Sequence, residues 1–190
     1  HVVLNVVWHT VNNAPPTWDS AGHLGLSFLF AQKIPALIFG DISFSDFMRL
    51  SDYYPPLVQL TGGVLILLFG RNYFNAIYVG TFFLALSIFY LYRIVNFYFK
   101  DEKLAVFTAF IYSFFPHVWE QSRQFHLDIP VVALILIAYY YLINSDSLKN
   151  RRNSIIFFIV FNLIQLTKWY GFVYLIVPFV IEVIYKPLKN

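Results

Sequence analysis

Residues 74–99, FNAIYVGTFFLALSIFYLYRIVNFYF, carry one charged side chain, Arg93, in the whole run. A segment this long and this apolar matches the roughly 17–25 residues that a helix needs to cross a lipid bilayer. The rest of the chain agrees: 59% of the 190 residues are hydrophobic and 12% are charged. Soluble domains sit near half apolar and about a quarter charged, so this chain cannot clothe itself in a polar surface. Disorder is excluded for the same reason, since it needs low hydrophobicity and high charge. With no cysteine, disulfide frameworks, zinc fingers and thiol catalysis are also excluded. The net charge of +3 fits a Lys/Arg loop bias better than a nucleic-acid surface, so no nucleic-acid partner is expected. The fold class that follows is all-α: a polytopic membrane helical bundle.

Other segments arrange themselves around that span. Residues 1–11 read as the end of a first span, halted by Asn12-Asn13-Ala14-Pro15-Pro16, because proline cannot donate a helix hydrogen bond. A chain that starts His-Val-Val inside an apolar run is expected to be a fragment of a longer protein. Residues 12–56, which include Asp19, His23, Lys33, Asp41, Asp46, Arg49 and Asp52, read as a long loop rather than a span. Thr17 is placed to cap a short helix from Trp18 to about Lys33. A second short helix after Ser43 or Ser45 would carry Phe44, Phe47, Met48 and Leu50, and both would lie in the membrane interface. Residues 57–190 hold the membrane helices of a single module, at 57–70, 74–99, 104–118, 129–143, 154–167 and 169–185. The first of these is short and contains Gly62-Gly63, and is read as embedded without crossing.

Basic residues set the expected orientation. Lys149, Arg151 and Arg152 form the densest cluster and belong in the cytoplasm by the positive-inside rule. Counting spans from there puts residues 119–128 and Lys168 outside, and Lys100, Lys103, Lys186 and Lys189 inside. The 12–56 loop then also lies outside.

A few polar residues resist a purely structural account. On a helix that starts at Trp18, Asp19 and His23 share a face, where a carboxylate beside an imidazole can take a proton from a hydroxyl or hold a cation. An acid in a first helical turn also suits the helix dipole, and the two readings stand level. Tyr53-Tyr54-Pro55-Pro56-Leu57 reads as interfacial tyrosines with prolines in a first turn. Asp128 before Ile129-Pro130 is a good helix N-cap. Arg123 and His126 are less easily explained, because an outside arginine runs against the orientation rule and suits phosphate binding. Lys168, between Thr167 and Trp169, either snorkels to the interface or joins Arg123 at an anionic headgroup. His9, His117 and Glu120 show no metal-ligand spacing.

In their order along the chain, five motifs resemble the GT-C superfamily of membrane glycosyltransferases. They are Pro16-Thr17-Trp18-Asp19-Ser20, Tyr54-Pro55-Pro56-Leu57, Leu68-Phe69-Gly70, Arg123 through Asp128-Ile129-Pro130, and Leu166-Thr167-Lys168. The nearest group holds the protein O-mannosyltransferases, the bacterial aminoarabinose lipid A transferases and related family 39-like enzymes. That resemblance implies transfer of a sugar from a polyprenyl-phosphate donor to a lipid, glycan or protein acceptor, outside the cytoplasm, with inversion at the anomeric carbon. It implies Asp19 as general base, Arg123 and Lys168 on the donor phosphate, and Asp128 orienting a cationic partner or a divalent metal. Tyr54, His23 and His126 complete the expected substrate-binding set. The expected setting is a bacterial or archaeal plasma membrane crossed several times, with an extracytoplasmic active site. Two departures stand out: Ser20 follows Asp19 where many relatives have a second acid, and Tyr54 replaces the lysine that precedes Pro-Pro-Leu in the aminoarabinose transferases. The rival reading is a non-catalytic carrier of lipid-linked sugars, or another transporter. A transporter should place its charges at mid-membrane, whereas here almost every charge falls at a segment end.

Overall fold

The structure, a computed structural model, describes residues 1–12, 14, 16, 18–51 and 53–189, with the Lys189 side chain left aside. Every regular element among the described residues is helical, as the apolar composition requires. In lipid each backbone N–H and C=O must be satisfied within its own segment, and helices do that. The order is α1 (Val2–Val11), α2 (Trp18–Phe39), α3 (Phe44–Met48), α4 (Leu57–Phe69), α5 (Tyr73–Phe99), α6 (Glu102–Phe114), α7 (Pro116–Ser122), α8 (Asp128–Ile143) and α9 (Arg151–Gln165). A 3₁₀ turn, Trp169–Phe172, then leads into α10 (Val173–Phe179), a π-helical stretch Val180–Tyr185 and α11 (Lys186–Lys189). Trp18–Phe39, Tyr73–Phe99 and the joined run Trp169–Leu188 are each long and apolar enough to cross a membrane. The chain is an all-α membrane protein.

Compact packing divides the chain into two units, one formed by His1–Phe83 with Pro116–Pro130, the other by Leu84–Phe115 with Val131–Asn190. In the first unit α2 packs on α4. Ser20, His23, Leu24, Ser27, Phe30 and Ala31 form the buried face of α2, at the three- and four-residue spacing of one helical side. Small residues set how closely the pair approaches. A Cβ on Gly63 would lie 2.9 Å from both Phe30 Cβ and the Ser27 carbonyl oxygen, and one on Gly62 would lie 2.7 Å from Ser27 Oγ. With 13 residues, α4 is about 20 Å long at 1.5 Å per residue, short of the roughly 30 Å hydrocarbon core. It ends at Gly70, whose φ of 102° is open to glycine and strained for other residues.

α2 departs from expectation. Instead of a short helix ending near Lys33, it has 22 residues and runs through Pro35 to Phe39. A proline inside a helix removes one backbone bond and kinks the helix without necessarily ending it, and the residues after Lys33 are apolar enough to continue a helix of spanning length. Residues 18–39 are therefore a helix of spanning length, not part of a loop. The expected Thr17 cap lies outside the described residues. α3 forms where expected, with Ser43 Oγ accepting from the Asp46 amide at 3.1 Å, and Leu50 falls beyond it. α7 was not expected; it occupies most of what reads as the front of a 119–128 loop. Asp128 is the first residue of α8 rather than its cap.

The second unit has well-formed helix starts and an aromatic lining. Asp101 Oδ1 accepts from the amides of Lys103 and Leu104 at 2.9 and 3.0 Å, and Asn150 Oδ1 accepts from the Asn153 amide at 3.2 Å. Between α5 and α8, the Arg93 guanidinium donates to the Tyr140 hydroxyl, and Tyr98 and Tyr139 share a 2.7 Å hydroxyl contact.

The Gly63 contact yields a test. Gly63→Val places branched carbon against backbone that cannot swing away, and overpacking of this kind costs about 1–3 kcal/mol. Thermal unfolding of the detergent-solubilised protein should show a clearly lowered midpoint, with Gly22→Ala, where a Cβ meets nothing within 4 Å, as the neutral control.

Candidate functional site

A cavity of about 580 Å³ opens in the first unit. Its aromatic wall includes Trp8, Tyr73, Phe74 and Trp119, and its polar atoms come from His9, Asn12, Ser20, Glu120, Arg123 and Gln124. Aromatic faces with a few polar groups are the usual makeup of a small-molecule site.

Arg123 is the centre of this arrangement. It follows the last residue of α7, and its guanidinium lies between two indoles, 4.7 Å from the Trp8 ring centre and 4.3 Å from that of Trp119. Its Nε donates to Asn5 Oδ1 at 3.3 Å. Burial holds the guanidinium below its usual pKa, yet an arginine remains cationic at neutral pH. With two indoles beside it and Nε bonded to Asn5, its terminal nitrogens have no hydrogen bond among the described residues and can take an oxyanion through paired hydrogen bonds.

The start of α2 is tied to the same region. Ser20, 2% exposed, lines the cavity, and its Oγ accepts from the Phe125 amide at 3.1 Å. That bond fixes the Arg123–Leu127 segment against α2. Phe125 is 1% exposed and its ring fits against Gly62. Asp19 precedes Ser20 in the first turn of α2. It is exposed and is not among the residues lining the cavity.

The remaining expected residues separate into groups. His23 and Tyr54 do meet, with ring centres 5.3 Å apart. Gln59 Nε2 donates to His23 Nδ1 at 3.2 Å, which makes His23 part of the buried α2–α4 packing. His126 Nε2 donates to Gln124 Oε1 at 2.8 Å. Asp128 is exposed at the start of α8. Among the described residues no three His, Asp or Glu side chains gather as a metal-holding group. The donor set for the divalent metal that the resemblance admits is therefore not assembled by these residues. Lys168 belongs to the second unit, where it is 9% exposed and its Nζ lies 5.7 Å from the Tyr170 ring centre.

Sequence reasoning missed three cavity residues, Trp8, His9 and Trp119, and the Asn5 that bonds to Arg123. Nothing local links Trp8 to Trp119. Asn5 is a lone amide in an apolar run. His9 lacks metal spacing, but its ring packs 5.2 Å from Phe74 and its buried Nε2 has no hydrogen-bond partner among the described residues. A buried polar atom left open at a cavity wall marks a place for a ligand hydroxyl.

Residues 54–190 match the family model for dolichyl-phosphate-mannose-protein mannosyltransferase. The chain belongs to that family. No curated protein and no solved structure matches it at a significant level. The mannosyltransferase match begins at Tyr54 of Tyr54-Pro55-Pro56-Leu57 and takes in Arg123, His126, Asp128 and Lys168. It leaves Asp19 and His23 upstream. A glycosyltransferase of this family must hold a sugar and its leaving group, and the aromatic cavity at Arg123 has the chemistry for both.

The Ser20 bond gives the site a structural test. Ser20→Ala leaves the buried Phe125 amide without its acceptor, which costs about 1–3 kcal/mol. The expected outcome is a lowered unfolding midpoint together with faster hydrogen exchange at the Phe125 amide, and Ser20→Thr, which keeps the hydroxyl, should restore the slow exchange.

Proposed function

We propose that the protein moves a sugar from a polyprenyl-phosphate donor to a hydroxyl-bearing lipid, glycan or protein acceptor, on the extracytoplasmic side of the membrane and with inversion. The observation that carries this reading is the Arg123 guanidinium, clamped between Trp8 and Trp119 at the wall of an aromatic cavity. A cation held in this way is suited to the phosphate of a donor. Charge on that phosphate grows as the bond to the anomeric carbon breaks, and a preset cation stabilises it more in the transition state than in the ground state.

Asp19 is the proposed general base. Its Cα is about 3.8 Å from that of Ser20 across the intervening peptide, and Ser20 lines the cavity. The carboxylate takes the acceptor proton as the acceptor oxygen attacks the anomeric carbon from the face opposite the phosphate. The old C–O bond breaks, its electron pair leaves with the prenyl phosphate, and the sugar is inverted. Tyr73, Phe74 and Trp119 offer flat faces for a sugar ring, and His9 Nε2 offers a partner for one of its hydroxyls. Asp128, His126, His23 and Tyr54 are proposed as supports of this region, and Lys168 as a donor-binding cation on its own chemistry.

Two measurements check the assignment. Asp19→Asn should lower sugar transfer by about 10²–10⁴-fold, the usual worth of a general base, with the protein still folded; full activity in that variant would instead favour a non-catalytic carrier. Arg123→Gln should reduce kcat by about 100-fold, as when one transition-state donor is lost, with a smaller change in KM.

A further inference from the structure

Asn5 lies in the middle of Val2–Val11, in the run Val-Val-Leu-Asn-Val-Val-Trp, and it is completely buried, at 0% exposure. A buried amide costs stability unless its donors and acceptor are used, and here both ends are used. Its Nδ2 donates to Thr81 Oγ1 on α5 at 2.9 Å, and lies 3.4 Å from Ser122 Oγ and 3.5 Å from the Ser122 carbonyl oxygen on α7. Its Oδ1 accepts from Arg123 Nε at 3.3 Å. The two ends cannot be exchanged. A flipped amide would set its NH₂ against the Arg123 N–H and its oxygen against the Ser122 carbonyl, two like-with-like clashes. Backbone approach reinforces the arrangement, since a Cβ on Gly80, next to Thr81, would come within 3.1 Å of the Ser122 carbonyl oxygen.

A guanidinium clamped only by two ring faces can still rotate in its own plane. A hydrogen bond at Nε removes that rotation, because it fixes which edge of the plane points away. We propose that Asn5 is a positioning residue: through Nε it turns Arg123 so that the two terminal nitrogens face an oxyanion in the cavity. Thr81 and Ser122 hold the amide in register. This rests on the reading that Arg123 takes the donor phosphate. It adds a residue that touches no substrate and that neither spacing nor charge marks.

The test is a double-mutant cycle on the full chain in detergent, with citronellyl phosphate as the probe and citronellol as its phosphate-free counterpart. Asn5→Leu should weaken citronellyl phosphate binding about tenfold, the scale of one hydrogen bond to a charged group, and leave citronellol binding unchanged. In an Arg123→Gln background the same substitution should have no further effect, since coupled residues are non-additive. An equal loss in both backgrounds, an equal loss for citronellol, or no loss at all overturns the positioning role. If Arg123→Gln alone leaves phosphate binding intact, the reading of Arg123 falls, and this role falls with it. Should Asn5→Leu fail to fold, Thr81→Val keeps the shape and removes only the acceptor for Nδ2. It should then weaken phosphate binding in the Arg123 background alone, and loss in both backgrounds or in neither counts against the proposal.

Discussion

A backbone amide in hydrocarbon has no water to turn to, so an apolar segment must satisfy its own hydrogen bonds. Almost everything else in this protein follows from that demand. It makes every regular element among the described residues a helix. It pushes charged residues toward helix ends, and it makes any polar side chain left inside an apolar helix conspicuous. Asn5, Ser27, Gln59, Ser87 and Thr81 are such residues, all buried. Ser27 Oγ donates back to the His23 carbonyl one turn earlier at 3.1 Å, and Ser87 Oγ does the same toward Leu84 at 2.8 Å. Asn5 and Gln59 have amides too large to be served by their own helix, so they bond across to other elements. The Asn5 cross-bond reaches Arg123 at the candidate site, and the Gln59 bond joins α4 to α2.

Helices were legible in the sequence wherever burial was uniform. The 74–99 run sits one residue inside α5 as found, and the short 57–70 segment matches α4 closely, because neither contains a competing signal. α2 was less legible because Lys33 and Pro35 look like an ending. The apolar run continues to Phe39, and in lipid a helix that satisfies its own backbone is kept despite one lost bond. α7 was hidden for the opposite reason: Pro116–Ser122 is too short to show a period and mixes proline, histidine, glutamate and glutamine, which reads as loop.

The site was legible only where a residue broke a rule. Arg123 ran against the expected orientation of basic residues, and it does line the cavity. Lys168 interrupts an apolar run, and it is buried as an unusual lysine would be. Asp19 stood out through family resemblance, while nothing in the sequence showed that its neighbour Ser20 lines a cavity. Trp8, His9 and Trp119 broke no rule. They become partners only when α1 and α7 are folded together in the first unit, and no local pattern encodes a meeting between residues so distant in sequence. His23 shows how burial adds what spacing leaves out: its ring meets Gln59 and Tyr54, because the side of α2 that carries it is the side that packs on α4.

The tryptophan clamp has a consequence for how the protein meets its surroundings. Dissolved ions weaken attraction between charges in proportion to how freely they reach them, over about 10 Å at 0.1 M salt. Two indole rings lie against the Arg123 guanidinium, so mobile ions reach it less freely than they reach an exposed cation. Its pull on an anion is thereby less sensitive to salt than that of a fully exposed arginine.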